Sequence, residues 1–251
     1  MELKNSYYWF KEVISPEDCK RIIDLGLSTI EKEEAAGKNC NAITMGREEK
    51  DSKPDAKPQG ELSKYELNQS GDTADTYVRD SKVAWLREQW LYDLVMPLVA
   101  KANVLAGWNW QLETAEHFQF TVYKPSGFYS WHKDGGSDNP ARYKRYIYGI
   151  TEEKRDGDIL PSGYTTDANM IGKVRKISTT INLNVPGEYD GGNLKFDFGM
   201  HTDGPRYHEC EEIRPQGSMI VFPSFLPHCV TPVTRGTRYS LVLWSLGDPF
   251  K

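Results

Sequence analysis

The sequence predicts an α+β protein whose amino-terminal helices pack on the outside of an antiparallel barrel or sandwich. Three observations predict it. Two stretches before residue 106 repeat apolar residues at helical spacing, whereas from Trp110 onward the period falls to two. The strand-like runs are short and are separated by Gly, Pro or Asp. Helices first and strands after is the order of an α+β architecture, and no internal repeat interrupts it. The 251 residues fit one domain, with a helical support over about 1–110 and a strand core over about 111–251 that carries an insertion at 138–175.

The chain opens on a short strand, Tyr7 to Val13, and then a helix. Ser15 is placed to cap that helix, Pro16 occupies a first-turn position where its missing N–H costs nothing, and Glu17 and Asp18 suit the positive end of the helix dipole. Ile22, Ile23, Leu25 and Leu27 supply apolar contacts, and the pattern fades near Gly37. Residues 46–76 are polar and proline-bearing, an irregular surface excursion. A second helix is expected from Val83 to Leu105, with Leu86, Trp90, Leu94, Leu98, Ala102 and Leu105 on one face and a kink or break at Pro97.

In HFQFTVY, Phe118, Phe120 and Val122 alternate with Gln119, Thr121 and Tyr123, as on a strand with two different faces. Further strands are expected at Lys176–Val185, Asn193–Phe198, Ser218–Phe222 and Arg238–Ser245. The 138–175 insertion begins basic and aromatic (Arg142, Tyr143, Lys144, Arg145, Tyr146), and connections of that length act as lids or binding loops, or are disordered.

Charge and composition narrow the function classes. A net charge of -5 gives no global attraction to nucleic acid, so nucleic acid is an unexpected partner. No run approaches the length of a membrane span, and the amino terminus lacks an apolar stretch behind a basic start. Cys19, Cys40, Cys210 and Cys229 form no CxxC pair, so a reducing, cytoplasmic setting is the expectation.

The triplet His132-Lys133-Asp134 follows a strand-like run. Residues i and i+2 of an extended chain point the same way, so imidazole and carboxylate can meet one ion, whereas on a helix they diverge. His228, within FPSFLPHCVTPV, is the best third ligand. Two histidines and one carboxylate leave coordination positions open, which suits non-haem Fe(II). A second copy, His201-Thr202-Asp203, lies in a Gly- and Pro-rich stretch with no strand leading into it and is the weaker candidate. His201 and His208 read as exposed loop residues, and His117 as a residue at a strand's mouth. Ten residues past His228, Arg238 opens the strand RYSLVLW and shares a face with Ser240, Val242 and Trp244. An arginine inside such a strand needs an anion, either an internal carboxylate or a bound ligand.

These residues resemble the Fe(II)/2-oxoglutarate-dependent dioxygenase superfamily, particularly its prolyl 4-hydroxylase-like branch. The resemblance rests on several strings in the family's order: FKEVISPEDCKRIID, VRDSKVAWL before the second helix, FQFTVYKPSGFYSWHKD, ISTTINLN, DGGNLKF and GSMIVFPSFLPHCVTPVTRGTRYSLVLW. It implies a double-stranded β-helix (jelly-roll) core with helices on one face. It implies that His132, Asp134 and His228 ligate Fe(II) and that Arg238, helped by Tyr123 and Ser240, takes the distal carboxylate of 2-oxoglutarate. Thr180, Asn182, Leu194 and Trp244 would line the co-substrate pocket, Asn182 standing where some relatives have tyrosine. The cofactors implied are Fe(II), 2-oxoglutarate and O2, with ascorbate as an auxiliary reductant. The reaction implied is decarboxylation of 2-oxoglutarate to succinate and CO2, coupled to hydroxylation of an unactivated C–H bond. Related halogenases lack the carboxylate that Asp134 supplies here. The substrate implied is a prolyl residue of a peptide or protein, with a free amino acid or other small molecule as the alternative. Tyr129, Trp131 and the 142–146 cluster are candidates for a peptide groove, with plain packing as their structural alternative. Two rival readings are a cupin-like metalloenzyme, which has no need of Arg238, and a non-catalytic barrel that binds a partner through the 138–175 loop.

Overall fold

The computed structural model describes residues 3–42, 79–135, 142–147, 150–151, 163–199 and 204–250. The expected 46–76 excursion, the His201/Asp203 pair and parts of the 138–175 insertion lie outside the described residues. In chain order the elements are β1 (Tyr8–Phe10), α1 (Pro16–Ala35), β2 (Arg79–Asp80), β3 (Lys82–Leu86), α2 (Gln89–Leu105), β4 (Thr114–Ala115), β5 (Phe118–Tyr123) and β6 (Phe128–His132). They continue through β7 (Lys144–Arg145), β8 (Tyr164–Thr165), β9 (Val174–Asn182), β10 (Tyr189–Gly191), β11 (Leu194–Asp197) and β12 (Tyr207–Glu209). The last are β13 (Met219–Pro223), β14 (His228–Val230), β15 (Val233–Gly236) and β16 (Arg238–Gly247).

The caps of α1 follow the sequence. Ser15 has extended backbone and its side chain accepts from the Asp18 N–H, with Pro16 in the first turn. At the other end the Gly37 N–H donates to Glu34 O and the Lys38 N–H to Glu33 O. That double closure needs a left-handed residue, and Gly37 supplies it at φ +79. The same closure ends α2, where Gly107 and Trp108 donate to Val104 and Asn103. There the Asn103 side chain also clamps the following loop, donating to Trp110 O and accepting from Trp110 N.

Two expectations for α2 need correction. Residues 82–86 form β3, not the first turn of the helix, because their backbone pairs with β5, Ala84 opposite Phe120 and Leu86 opposite Phe118. The fully buried residues are Leu91, Val95, Val99 and Ala102; of the predicted face only Ala102 is among them, Trp90, Leu94 and Leu98 being partly buried against the same core and Leu105 exposed. The cause is that the helix is apolar on more than one side, so periodicity admits two stripes and the sheet selects between them. Pro97 sits inside one continuous helical element.

The larger sheet runs β1-β13-β9-β16-β5-β3, with β4 also paired to β16. The smaller runs β12-β11-β14-β6-β2, and β10-β15 and β7-β8 form two-stranded pairs. One core cluster joins the helices to one face of the larger sheet, through Cys19, Ile22, Leu91, Val95, Phe118, Phe120, Ile177, Leu241 and Leu243. A second cluster joins the two sheets, with Leu194 and Phe196 from β11 against Ile220 and Phe222 from β13. Strand bounds agree with the expected ones to a few residues, β1 being shorter than Tyr7 to Val13. His208 is not a free loop residue: it lies in β12 and its Nε2 meets the Tyr7 hydroxyl at 2.9 Å. His117 is exposed just before β5, as expected of a strand's mouth. All four cysteines are buried, and none is in a disulfide among the described residues. Among the described residues no helix is long and apolar enough to cross a membrane.

The tightest helix–sheet contact is at Gly26, where an added Cβ would lie 2.2 Å from the Phe120 ring. Alanine there gains about 1 kcal/mol of helix propensity but overpacks a fully buried ring at a cost of about 1–3 kcal/mol. Gly26→Ala is therefore expected to destabilise the fold, read as a lower urea midpoint with an unchanged slope; a higher midpoint would show that Phe120 moves aside freely.

Candidate metal centre and anion pocket

The site grows from one strand register. β6 and β14 pair antiparallel with His132 opposite His228, so both rings project from the same face. Asp134 follows two residues after His132, just past the end of β6, where the Gly135 N–H donates to Ser224 O at 2.8 Å and fixes the turn. His132 Nε2 lies 3.5 Å from Asp134 Oδ1, and His228 Nε2 lies 3.6 Å from Asp134 Oδ2. One ligand atom from each of the three residues falls within 4.8 Å of the others.

The hydrogen bonds decide which atoms face the cluster. His132 Nδ1 donates to Ser130 O at 2.7 Å and His228 Nδ1 to Leu226 O at 2.9 Å, which leaves both Nε2 lone pairs for an ion. The imidazole orientations are packed as well. Tyr129 stacks on His132 with ring centroids 3.5 Å apart, and the Arg79 guanidinium lies over Tyr129 at 4.6 Å from its centroid. Arg79 is itself held by Ser81 and Gln119. Burial pushes the Tyr129 phenol up to about 12. Phe222 meets His228 edge-on at 4.7 Å.

Burial alone would raise the Asp134 carboxyl, but His228 and His132 outweigh it and hold the carboxyl well below the usual carboxylate range. Burial, and then the neighbouring His132, push His228 down to about 4 against the pull of Asp134, so its imidazole is neutral at physiological pH. Ser178 on β9 donates to Asp134 Oδ2 at 2.7 Å and lies 2.9 Å from the Ser224 hydroxyl. An ionised Asp134 carboxylate beside a neutral His228 imidazole suits a divalent cation.

Two arginines, half-buried Arg175 beside Asp134 and fully buried Arg238 on β16, are distinguished by their partners. Arg175 is fully answered: Glu116 accepts from its Nε at 2.5 Å and from Nη2 at 2.6 Å. Arg238 is only 1% exposed, yet it faces no carboxylate among the described residues. Its Nη1 donates to Ser240 Oγ at 3.3 Å, its guanidinium lies 5.3 Å from the centre of the Tyr123 ring, and its Nε has no partner. Tyr123 is opposite Arg238 across β5 and β16. Gly192 makes room for the arginine stem, since a Cβ there would sit 2.9 Å from Arg238 Cδ. A buried cation with an orphaned donor is costly unless a ligand anion completes it, so the pocket suits the free carboxylate of a small diacid.

Of the other expected pocket residues, Thr180 is buried on β9 two residues beyond Ser178, and Trp244 is opposite Ser178 with its indole N–H unpartnered. Asn182 is committed elsewhere: its amide donates to Arg214 O and it accepts from the Tyr189 hydroxyl. Leu194 packs in the inter-sheet cluster. Ser178, Arg175 and Glu116 escaped the sequence reading. For Ser178 a signal was present, since it shares a strand face with Thr180 and Asn182; for Glu116 there was none.

Comparison with known proteins agrees with this geometry. Residues 118–246 match the model of the 2OG-Fe(II) oxygenase superfamily. A PKHD-type hydroxylase of Synechococcus sp. is 36% identical over 85 residues, 32% of this chain and 35% of that protein. One of Burkholderia ambifaria is 34% identical over 108 residues, 42% of this chain and 41% of the other. The match thus spans well under half the length of these relatives. A prolyl-4-hydroxylase of Pseudomonas putida superposes with a TM-score of 0.53 at 18% identity, over 97% of this chain and 94% of that one. A Trichoplax adhaerens prolyl hydroxylase, solved with a hypoxia inducible factor peptide fragment, gives 0.54 at 14% identity over 96% and 83%. These two likenesses show a shared jelly-roll fold. With more than half of its length matching the family model, the chain belongs to the 2OG-Fe(II) oxygenase superfamily.

Proposed function

We propose that the chain is an Fe(II)- and 2-oxoglutarate-dependent hydroxylase of the prolyl 4-hydroxylase-like kind, in which residues 1–251 act as one catalytic unit. The observation that carries the reading is Arg238, a buried cation with an unpartnered Nε on the sheet that faces the His132–Asp134–His228 cluster. The two sheets are read as the two halves of a double-stranded β-helix, with α1 and α2 supporting the larger one. The family implies Fe(II), 2-oxoglutarate and O2.

His132, Asp134 and His228 would hold the iron, and two histidines with one carboxylate suit that ion. The bound metal with its co-substrate supplies the oxidising chemistry, and the protein supplies position and charge. Arg238 and Ser240 would bind the distal carboxylate of 2-oxoglutarate, with Tyr123 over the ring side of the guanidinium. Thr180 and Trp244 would line the co-substrate pocket, while Asn182 and Leu194 are taken up by partners of their own. Ser178 keeps one carboxylate oxygen of Asp134 oriented, and the backbone carbonyls of Ser130 and Leu226 keep the Nδ1 protons in place.

For the substrate, the names of the relatives and the peptide in the Trichoplax structure support a prolyl residue in a peptide or protein. Four buried cysteines outside any disulfide among the described residues support a reducing, cytoplasmic home. Ascorbate belongs to the same proposal as auxiliary reductant, and assays with and without it test that part.

Three outcomes test the reading. With Fe(II), 2-oxoglutarate and O2, the purified protein is expected to release succinate, and His132→Ala or Asp134→Ala to abolish that release while circular dichroism is unchanged; full turnover in either variant rejects the site. Arg238→Ala loses charged hydrogen bonds worth about 1.5–3 kcal/mol, which weakens 2-oxoglutarate about 10- to 150-fold. The anaerobic charge-transfer absorption of the Fe(II)–2-oxoglutarate complex measures it, and an unmoved affinity would make Arg238 structural. Ser178→Ala, which frees one oxygen of Asp134, should weaken metal binding about 10-fold at little cost to the fold. Calorimetric titration with Mn(II) reads that change, and an affinity equal to the parent's would remove Ser178 from the metal site.

A further inference from the structure

Arg175 reaches the site by a break in strand register. Along β9, Ile177 pairs with Ser245 but Arg175 pairs with the next residue, Leu246, so Lys176 is an extra residue in the ladder. A bulge of this kind turns the following side chain to the opposite face. It puts the Arg175 guanidinium over the Trp244 ring at 4.0 Å, with Nη1 donating to the Asp134 carbonyl oxygen at 3.4 Å. A guanidinium this close to Asp134 competes directly with any cation for the Asp134 carboxylate. Its forked bond to Glu116 removes that competition: two of its nitrogens are turned to Glu116, and only the third touches the Asp134 backbone. Glu116 is buried, just ahead of β5, and Arg175 is half-buried, which limits screening of the pair by salt.

We propose that Glu116 is a positioning residue of the metal centre: it holds Arg175 off the Asp134 carboxylate. This rests on the metal reading of His132, Asp134 and His228, and it assigns Glu116 no contact with substrate. Removing the Glu116 charge leaves Arg175 without its counter-ion and frees it to turn to the Asp134 carboxylate. Removing Arg175 as well takes away the competitor.

Co(II) titration followed by its visible absorption tests this on the full chain. Glu116→Gln should weaken Co(II) about 10- to 100-fold, and Glu116→Gln/Arg175→Met should recover most of that loss. A merely structural ion pair would lower the melting temperature in both variants and leave Co(II) affinity the same in each. Unchanged affinity in Glu116→Gln, or no recovery in the double variant, would each overturn the proposal. If Glu116→Gln does not fold, Arg175→Met decides: Co(II) affinity at or above the parent's is expected, and a loss of about 10-fold would overturn the proposal. Absence of Co(II) binding by the parent protein would instead overturn the metal reading, and this proposal with it.

Discussion

The constraint on which the site depends is the antiparallel register that sets His132 opposite His228. Side chains on a strand alternate between faces, so a slip of one residue would turn one imidazole to the other side of the sheet and leave Asp134 with a single neighbour. The register is secured on both flanks. β14 pairs with β11, where Phe196 stands opposite His228, and β6 pairs with β2, where Arg79 stands opposite Tyr129. Those flanking residues are also the ones that pack the rings. Phe196 belongs to the cluster that joins the sheets, and Arg79 lies over the Tyr129 ring that covers His132. The contacts that hold the strands in register therefore also orient the metal-binding nitrogens.

Charge is arranged around this cluster by what is paired and what is left unpaired. Asp134 is ionised and hydrogen-bonded, Arg175 is neutralised by Glu116, and Arg238 alone among these lacks a partner for a buried donor. Burying a charged group is costly, and an isolated one is tolerated where a ligand completes it. The unsatisfied Nε of Arg238 is what the proposed anion pocket rests on, while the fork of Arg175 is already filled by Glu116. The two arginines differ because one has a carboxylate partner and the other has none among the described residues.

The helices contribute indirectly. α1 and α2 cover the outer face of the larger sheet, and the contact of Gly26 with Phe120 shows how closely they lie. That packing lies behind β5 and β16, the strands that carry Tyr123 and Arg238.

Much of this was legible in the chain. The Ser15 cap, the alternation of Phe118, Phe120 and Val122, the His132-x-Asp134 spacing and the inward position of Arg238 are local or period-two patterns, and local sterics enforce them whatever surrounds them. What the sequence could not settle depended on partners far along the chain. Residues 82–86 form a strand because β5 offers them an edge, and the buried stripe of α2 was chosen by the sheet from two that the composition allowed. The pairing of Glu116 with Arg175 across 59 positions follows from a bulge at Lys176 that leaves no mark in the residue pattern. Periodicity reports which face a side chain takes on its own element; only the packed sheets decide what that face meets.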